Sequence, residues 1–161
     1  MQNQLVLGID IGGSGIKGAL VDLAAGEFAT DRVRIPTPEK STPSAVADVV
    51  AQIVAEFADQ MGDGPIGVTV PAVVTHGVTR SAANIHKSWI DAPAGKLFEE
   101  RLGRDVVLVN DADAAGVAEV RYGAAKDNNG LVMVTTLGTG IGSALIYQGV
   151  LVPNTELDHL E

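Results

Sequence analysis

Apolar positions in this chain come mostly in continuous runs rather than alternating ones, and those runs set its frame. Leu5 to Ile11 is nearly unbroken, which suits a strand buried on both faces. Ile16 to Leu23 follows almost at once, so the two are expected to form an antiparallel hairpin. A third strand is predicted within Phe28 to Ile35, before Pro36 and Pro38 interrupt it. Thr42 then caps a helix whose first position is Pro43. Val46, Val49, Val50, Ile53, Val54 and Phe57 recur at helical spacing, and Gly62 to Pro65 ends the pattern. Ile66 to Val70 reads as another buried strand. Pro71 to Ala92 reads as a loop, and a loop of this length in a compact domain is usually functional or disordered. After it come a short helix over Pro93 to Leu102, a strand over Val106 to Val109 and a small-residue-rich helix over Asp111 to Tyr122. A second hairpin follows, with Val150 to Val152 as its third strand.

The fold class this implies is mixed α/β, with one feature written twice. Gly13-Ser14-Gly15-Ile16-Lys17-Gly18-Ala19-Leu20-Val21 can be laid without gaps over Gly138-Thr139-Gly140-Ile141-Gly142-Ser143-Ala144-Leu145-Ile146. Each copy follows an apolar run and leads into another. The expectation is a first lobe over residues 1–109 and the start of a similar second lobe over 110–161, their glycine turns serving as two walls of one site. A duplicate second lobe needs about as many residues as the first, so the sequence is expected to be incomplete, with an unpaired edge at its last strand.

Composition narrows the function classes. With 161 residues, 46% of them hydrophobic, the chain can bury roughly two-thirds of the surface it exposes when unfolded. No apolar run approaches the ~20 residues of a membrane span, and no secretory leader pattern precedes the first strand. Cysteine is absent, which excludes disulfides and thiolate metal sites and fits a cytoplasmic protein. A net charge of −9 argues against nucleic acid as a partner. It also means that an anionic substrate needs a local cluster of cations, for which Lys17, Arg80, Lys87, Arg101 and Arg104 are the candidates.

Five places carry types suited to chemistry. In Asp10-Ile11-Gly12-Gly13-Ser14-Gly15-Ile16-Lys17, backbone N–H groups of a tight turn and the Ser14 hydroxyl suit phosphate oxygens. Lys17 adds charge, and Asp10 at the mouth can hold a Mg²⁺ ion through its water shell. The same spelling also serves a plain hairpin. It is not a P-loop, because the Lys-Ser/Thr ending is missing and a strand follows. Asn110-Asp111-Ala112-Asp113 lies where a strand turns into a helix, where the helix dipole favours a charged carboxylate. There an Asp serves either as a base for a substrate hydroxyl or as a helix cap. Glu156 and His159, three residues apart, can accept from and donate to vicinal sugar hydroxyls, or be exposed polar residues. Asn84 offers an amide suited to a polyol. Trp89, the single tryptophan, fits either a pyranose face or a buried anchor.

As a set, these motifs resemble the sugar kinases of the repressor, open-reading-frame and kinase (ROK) family, within the actin-like, ribonuclease H-like ATPase fold. The resemblance spans essentially the whole chain. Gly8-Ile9-Asp10-Ile11-Gly12-Gly13 with Gly15-Ile16-Lys17 looks like the family's first phosphate motif, and Leu137-Gly138-Thr139-Gly140-Ile141-Gly142 like its second. Val109-Asn110-Asp111-Ala112-Asp113 is similar to the segment bearing the catalytic aspartate, which falls on Asp111, with Asn110 contacting sugar. Ala82 to Trp89 and Val152 to Leu157 resemble the subgroup that phosphorylates glucose, and in some members mannose, from polyphosphate and in some from ATP.

The resemblance implies phosphoryl transfer to the 6-hydroxyl of an aldohexose. Asp111 is the implied base, and Asn84, Asn110, Glu156 and His159 hold the sugar. Asp10, Gly12, Gly13, Ser14, Gly15, Lys17, Gly138, Thr139 and Gly140 surround the donor phosphates, with Mg²⁺ as cofactor. Homodimers are common among such kinases. One departure stands out: Asp158 occupies a position where the family's Glu-x-Gly-His pattern has glycine, adding a charge beside the sugar and removing access to positive φ. The alternative within the same family is a truncated, non-catalytic sugar-binding protein.

Overall fold

The computed structural model describes residues 5–82, 84–138 and 140–157. The chain divides into two compact units, Met1–Val109 and Asn110–Glu161. In the first, β1 (Leu5–Ile11) and β2 (Gly15–Asp22) pair antiparallel, from Leu5 opposite Asp22 to Ile11 opposite Ile16. The expected third strand is instead two short ones, β3 (Glu27–Phe28) and β4 (Val33–Pro36), both paired with β2. The break has a visible cause. The Leu20 N–H of β2 donates to the Thr30 hydroxyl at 3.1 Å, so a side chain takes the place of a ladder carbonyl. Pro36 is tolerated at the end of β4 because an edge position demands no N–H.

Helix α1 (Pro43–Phe57) begins as expected: the Thr42 hydroxyl accepts from the Ala45 N–H, with Pro43 in the first turn. Its Val46, Val49, Val50, Ile53 and Phe57 are buried against Leu7, Ile9, Ile11, Ile16 and Leu20 of the hairpin. Burying each such side chain contributes about 1.5–3 kcal/mol. β5 (Ile66–Val70) lies parallel to β1, with Gly8 opposite Gly67 and Asp10 opposite Thr69.

The segment read as a loop contains a small hairpin, β6 (Val74–Thr75) and β7 (Val78–Thr79). It turns on His76 and Gly77, both at positive φ (51° and 76°), the combination that matches strand twist in a two-residue turn. A single 3₁₀ turn, Lys87–Trp89, follows. Helix α2 (Ala94–Leu102) then leads to β8 (Val106–Asn110), and the sheet runs β3-β2-β1-β5-β8 with β4 also on β2. Trp89 is a buried anchor rather than a platform for sugar. It is fully covered, its indole N–H donates to the Ser41 carbonyl at 2.7 Å, and its ring lies 6.2 Å from that of Phe98.

The second unit holds α3 (Asp111–Tyr122), then β9 (Leu131–Leu137), β10 (Ile141–Tyr147) and β11 (Val150–Val152) in the order β11-β10-β9. The small residues of α3 let it approach the sheet closely. A Cβ added to Gly116 would stand 2.8 Å from the Ala144 methyl and 2.9 Å from Ile146. Val132, Ala144 and Ile146 form the core beneath it. The other face of the sheet exposes Leu131, Met133, Leu137, Ile141, Tyr147 and Val150. Among the described residues, no helix is long and apolar enough to cross a membrane.

Candidate active site

In the first unit, the β1–β2 turn sits at the end of a row of polar residues. Asp10 stands opposite Lys17 on one side and Thr69 on the other, and Lys17 stands opposite Arg34. Register partners project from the same face of a sheet, so Thr69, Asp10, Lys17 and Arg34 form one line across four strands. The Thr69 hydroxyl donates to Asp10 Oδ1 at 2.9 Å, and Lys17 Nζ lies 3.8 Å from Asp10 Oδ2. The turn is braced from three sides. The Gly12 N–H donates to the Gly15 carbonyl at 3.1 Å, the Thr37 hydroxyl to the Gly12 carbonyl at 2.6 Å, and Arg34 Nη2 to the Ser14 carbonyl at 2.9 Å. Gly13 and Ser14 are left exposed at its tip.

Asn84 is brought to this turn. Its backbone is in the left-handed region (φ 57°), its side is exposed, and its carbonyl oxygen lies 3.3 Å from where a Gly13 Cβ would be. The nearby 3₁₀ turn is pinned to the start of α1, with the His86 N–H on the Ser41 hydroxyl and the Trp89 indole on the Ser41 carbonyl.

Three of the five candidate cations have other partners. Arg80 pairs with Asp91 at 2.9 Å, Arg101 with Asp48 at 2.8 Å, and Arg104 donates to the carbonyls of Gly62 and Gly64. Lys87 is exposed on the 3₁₀ turn. The cation that does accompany Lys17 is Arg34. Sequence reasoning passed over it, together with Thr37 and Thr69, because cross-strand register decides their placement and carries no local motif.

Whether Mg²⁺ suits this row can be tested on Asp10. Among the described residues, no three His, Cys, Asp or Glu side chains converge on a metal position, so no all-protein cage exists. Mg²⁺ characteristically keeps several waters and uses one or two carboxylates. A half-exposed carboxylate steadied by Thr69 fits that role through water.

The second unit assembles the other candidates around the junction of β8 and α3. Asn110, almost fully buried, uses both ends of its amide. Its Oδ1 accepts the Asp113 N–H at 3.0 Å as the helix cap, and its Nδ2 donates to Glu156 Oε1 at 2.6 Å. Capping therefore falls to Asn110. Asp111 is exposed in the first turn of α3, its Oδ1 accepting the Ala112 N–H at 2.8 Å.

The segment carrying Glu156 is held from beneath. The Asn154 N–H, at a residue with φ of 58°, donates to Asp113 Oδ2 at 2.8 Å. The buried Ser143 hydroxyl donates to the Thr155 carbonyl and accepts the Leu157 N–H, both at 2.8 Å. Burial raises the pKa of Asp113 above its ordinary value, the Asn154 N–H opposing the shift in part. Among the described residues, its Oδ1 is buried without a hydrogen-bond partner.

The second glycine turn is closed by the Gly138 N–H on the Gly140 carbonyl at 2.9 Å. The two turns differ in length, although their sequences superpose without gaps. Four residues (12–15) separate the paired Ile11 and Ile16, whereas three (138–140) separate the paired Leu137 and Ile141. Thr139 and His159, both expected site residues, lie outside the described residues.

Comparison with known proteins identifies the family. The ROK family profile matches residues 6–153. The chain belongs to the ROK family. Polyphosphate glucokinase of Mycobacterium tuberculosis (strain H37Ra) is 56% identical over 155 residues, covering 96% of this chain and 57% of that protein. The crystal structure of inorganic polyphosphate/ATP-glucomannokinase from Arthrobacter sp. strain KM superposes with a TM-score of 0.95 at 53% identity, over 99% of this chain and 64% of that one. A ROK family glucokinase from Streptomyces griseus, solved with glucose and AMPPNP, superposes with a TM-score of 0.80 at 31% identity, over 91% of this chain and 46% of that one. The fold is thus the actin-like α/β fold of the ROK sugar kinases, and the chain spans little more than half the length of its curated mycobacterial relative.

Proposed function

We propose that this ROK chain serves phosphoryl transfer from polyphosphate or ATP to the 6-hydroxyl of glucose or mannose. The observation that carries the reading is the Asn110–Glu156 contact at 2.6 Å, directly beside the exposed carboxylate of Asp111. Buried Asn110 orients the Glu156 carboxylate, an acceptor of the kind a polyol hydroxyl requires. The mycobacterial polyphosphate glucokinase and the Arthrobacter polyphosphate/ATP-glucomannokinase that this chain resembles suggest the sugar and donor classes.

In this reading Asn110 and Glu156, with Asn84 and His159, orient the sugar. Asp111 takes the proton of the 6-hydroxyl as its oxygen bonds to the terminal phosphorus and the bond from that phosphorus to the donor chain breaks. The expelled donor is one phosphate shorter. The transition state is loose, so protein groups chiefly position and neutralise. The exposed N–H groups and Ser14 hydroxyl of the first turn, with Lys17, meet phosphate oxygens, and Gly138, Thr139 and Gly140 do so from the second turn. Mg²⁺, when bound, neutralises phosphate charge, with Asp10 holding it through water.

The test is glucose calorimetry together with a coupled assay containing glucose and Mg²⁺, run in parallel with ATP and polyphosphate. Asp111→Asn is expected to lower turnover by at least about a hundredfold, the usual weight of a general base, while glucose affinity stays near that of the wild type. Loss of both, or of neither, overturns the assignment of Asp111. Absence of hexose binding by the wild-type chain overturns the sugar reading.

A further inference from the structure

We infer that the Ser41 hydroxyl is a positioning group for Asn84, acting on the sugar through the loop without touching it. The inference rests on the proposed role of Asn84 as a sugar ligand. That role asks much of a loop residue. A binding side chain must be held to within about 0.5 Å of its productive place. Asn84 is exposed on the segment between β7 and α2, with its backbone in the left-handed region. Something outside the loop has to fix it.

The two ends of the segment are tied to each other. The Thr79 N–H donates to the Ala92 carbonyl at 3.0 Å, and Arg80 pairs with Asp91 at 2.9 Å. Between those ends, Ser41 fastens the segment to the stretch before α1, and it does so twice. Its carbonyl accepts the Trp89 indole N–H at 2.7 Å, and its hydroxyl accepts the His86 N–H at 3.2 Å. The two bonds divide the work. A carbonyl is present in any residue, and this one holds a ring already sealed in the core. The hydroxyl belongs to the serine side chain, and it grips the backbone two residues after Asn84. His86 passes the hold onward, because its Nδ1 accepts the Ser88 N–H and caps the 3₁₀ turn.

Helix formation does not account for this hydroxyl. Thr42 caps α1, its own hydroxyl accepting the Ala45 N–H. Ser41 is nevertheless 9% exposed, and a hydroxyl taken out of water is costly unless it is hydrogen-bonded. The same stretch of chain also reaches the first glycine turn, where the Thr37 hydroxyl donates to the Gly12 carbonyl at 2.6 Å. Residues 37–41 therefore hold the turn at one end and the Asn84 loop at the other. The Asn84 backbone lies against Gly13 of that turn, so releasing His86 frees Asn84 from a reference that the turn shares.

The experiment is a double-mutant cycle read by glucose calorimetry, with thermal unfolding to confirm the fold. It compares wild type, Ser41→Ala, Asn84→Gly and the double variant. Glycine removes the Asn84 amide while keeping positive φ accessible. Ser41→Ala is expected to bind glucose about three- to tenfold more weakly, the weight of one neutral hydrogen bond. In the Asn84→Gly background the same change is expected to cost nothing further, because the hydroxyl acts through the residue already removed. A second loss of similar size in the double variant, or no loss in Ser41→Ala, overturns the inference. A Ser41→Ala chain that does not fold also overturns it, since the hydroxyl then serves the fold and not the loop. If Asn84→Gly binds glucose like wild type, the inference fails while the hexose reading stands. A wild-type chain that binds no glucose overturns both.

Discussion

Asp113 shows how a single buried group can shape both a site and its pH response. Its position two residues after Asp111 makes it look like a second catalytic carboxylate, or a cap. Instead Asn110 caps, and Asp113 turns inward to hold the Asn154 N–H. Burial raises its pKa above the ordinary 3.8, so the folded chain retains a proton there that the unfolded chain has released. Stability from this group is therefore complete below about pH 3.8 and declines as pH rises through the raised folded value. Asp113→Asn, which has no proton to lose, is expected to abolish that part of the decline, as denaturant unfolding of both proteins across the acid range will read. An identical slope in the two proteins would mean that the group is not buried in solution.

Elements were legible in the sequence where one local rule decided them, and obscure where two competed. The helix over 43–57 needed only its cap, its proline and its apolar spacing. The hairpin at 74–79 was also written locally, as two Val-Thr pairs around His76-Gly77, but the density of turn formers hid it. The interruption between β3 and β4 was not written locally, since it depends on Thr30 capturing a donor from another strand. The same holds for the proposed acceptor site. Sequence named Asn110, Asp111 and Glu156, yet the support beneath Glu156 comes from Ser143 on β10 and Asp113 on α3. That support carries a prediction at the level of the element. Ser143→Ala leaves the Leu157 N–H and the Thr155 carbonyl without their partner, which costs about 1–3 kcal/mol where such groups stay buried. Faster amide exchange at Leu157 and weaker glucose binding are expected together. Unchanged exchange would show that β10 does not hold the 154–157 segment.

At the scale of the whole molecule, the two units are unequally provided for. The first buries a cluster running from Leu7 to Leu108, while the second buries Val132, Ala144 and Ile146. Duplication was legible in the glycine turns, but the one-residue difference between them was not, because pairing register fixes turn length and the text of the two segments does not record it. The second unit is expected to lose structure at lower denaturant concentration than the first, since a small core leaves little margin over chain entropy. The lone indole of Trp89 makes that difference directly observable. It is sealed within the first unit and tied through Ser41 to the stretch just after Asn84, and the second unit has no tryptophan of its own. Selectively excited tryptophan emission, free of the signal of Tyr122 and Tyr147 in the second unit, will consequently monitor residues 5–109 alone, with blue-shifted emission while they are folded, whereas far-ultraviolet circular dichroism sums over the chain. Dichroism should begin to fall before the emission shifts to the red, and coincident curves would refute the unequal margins.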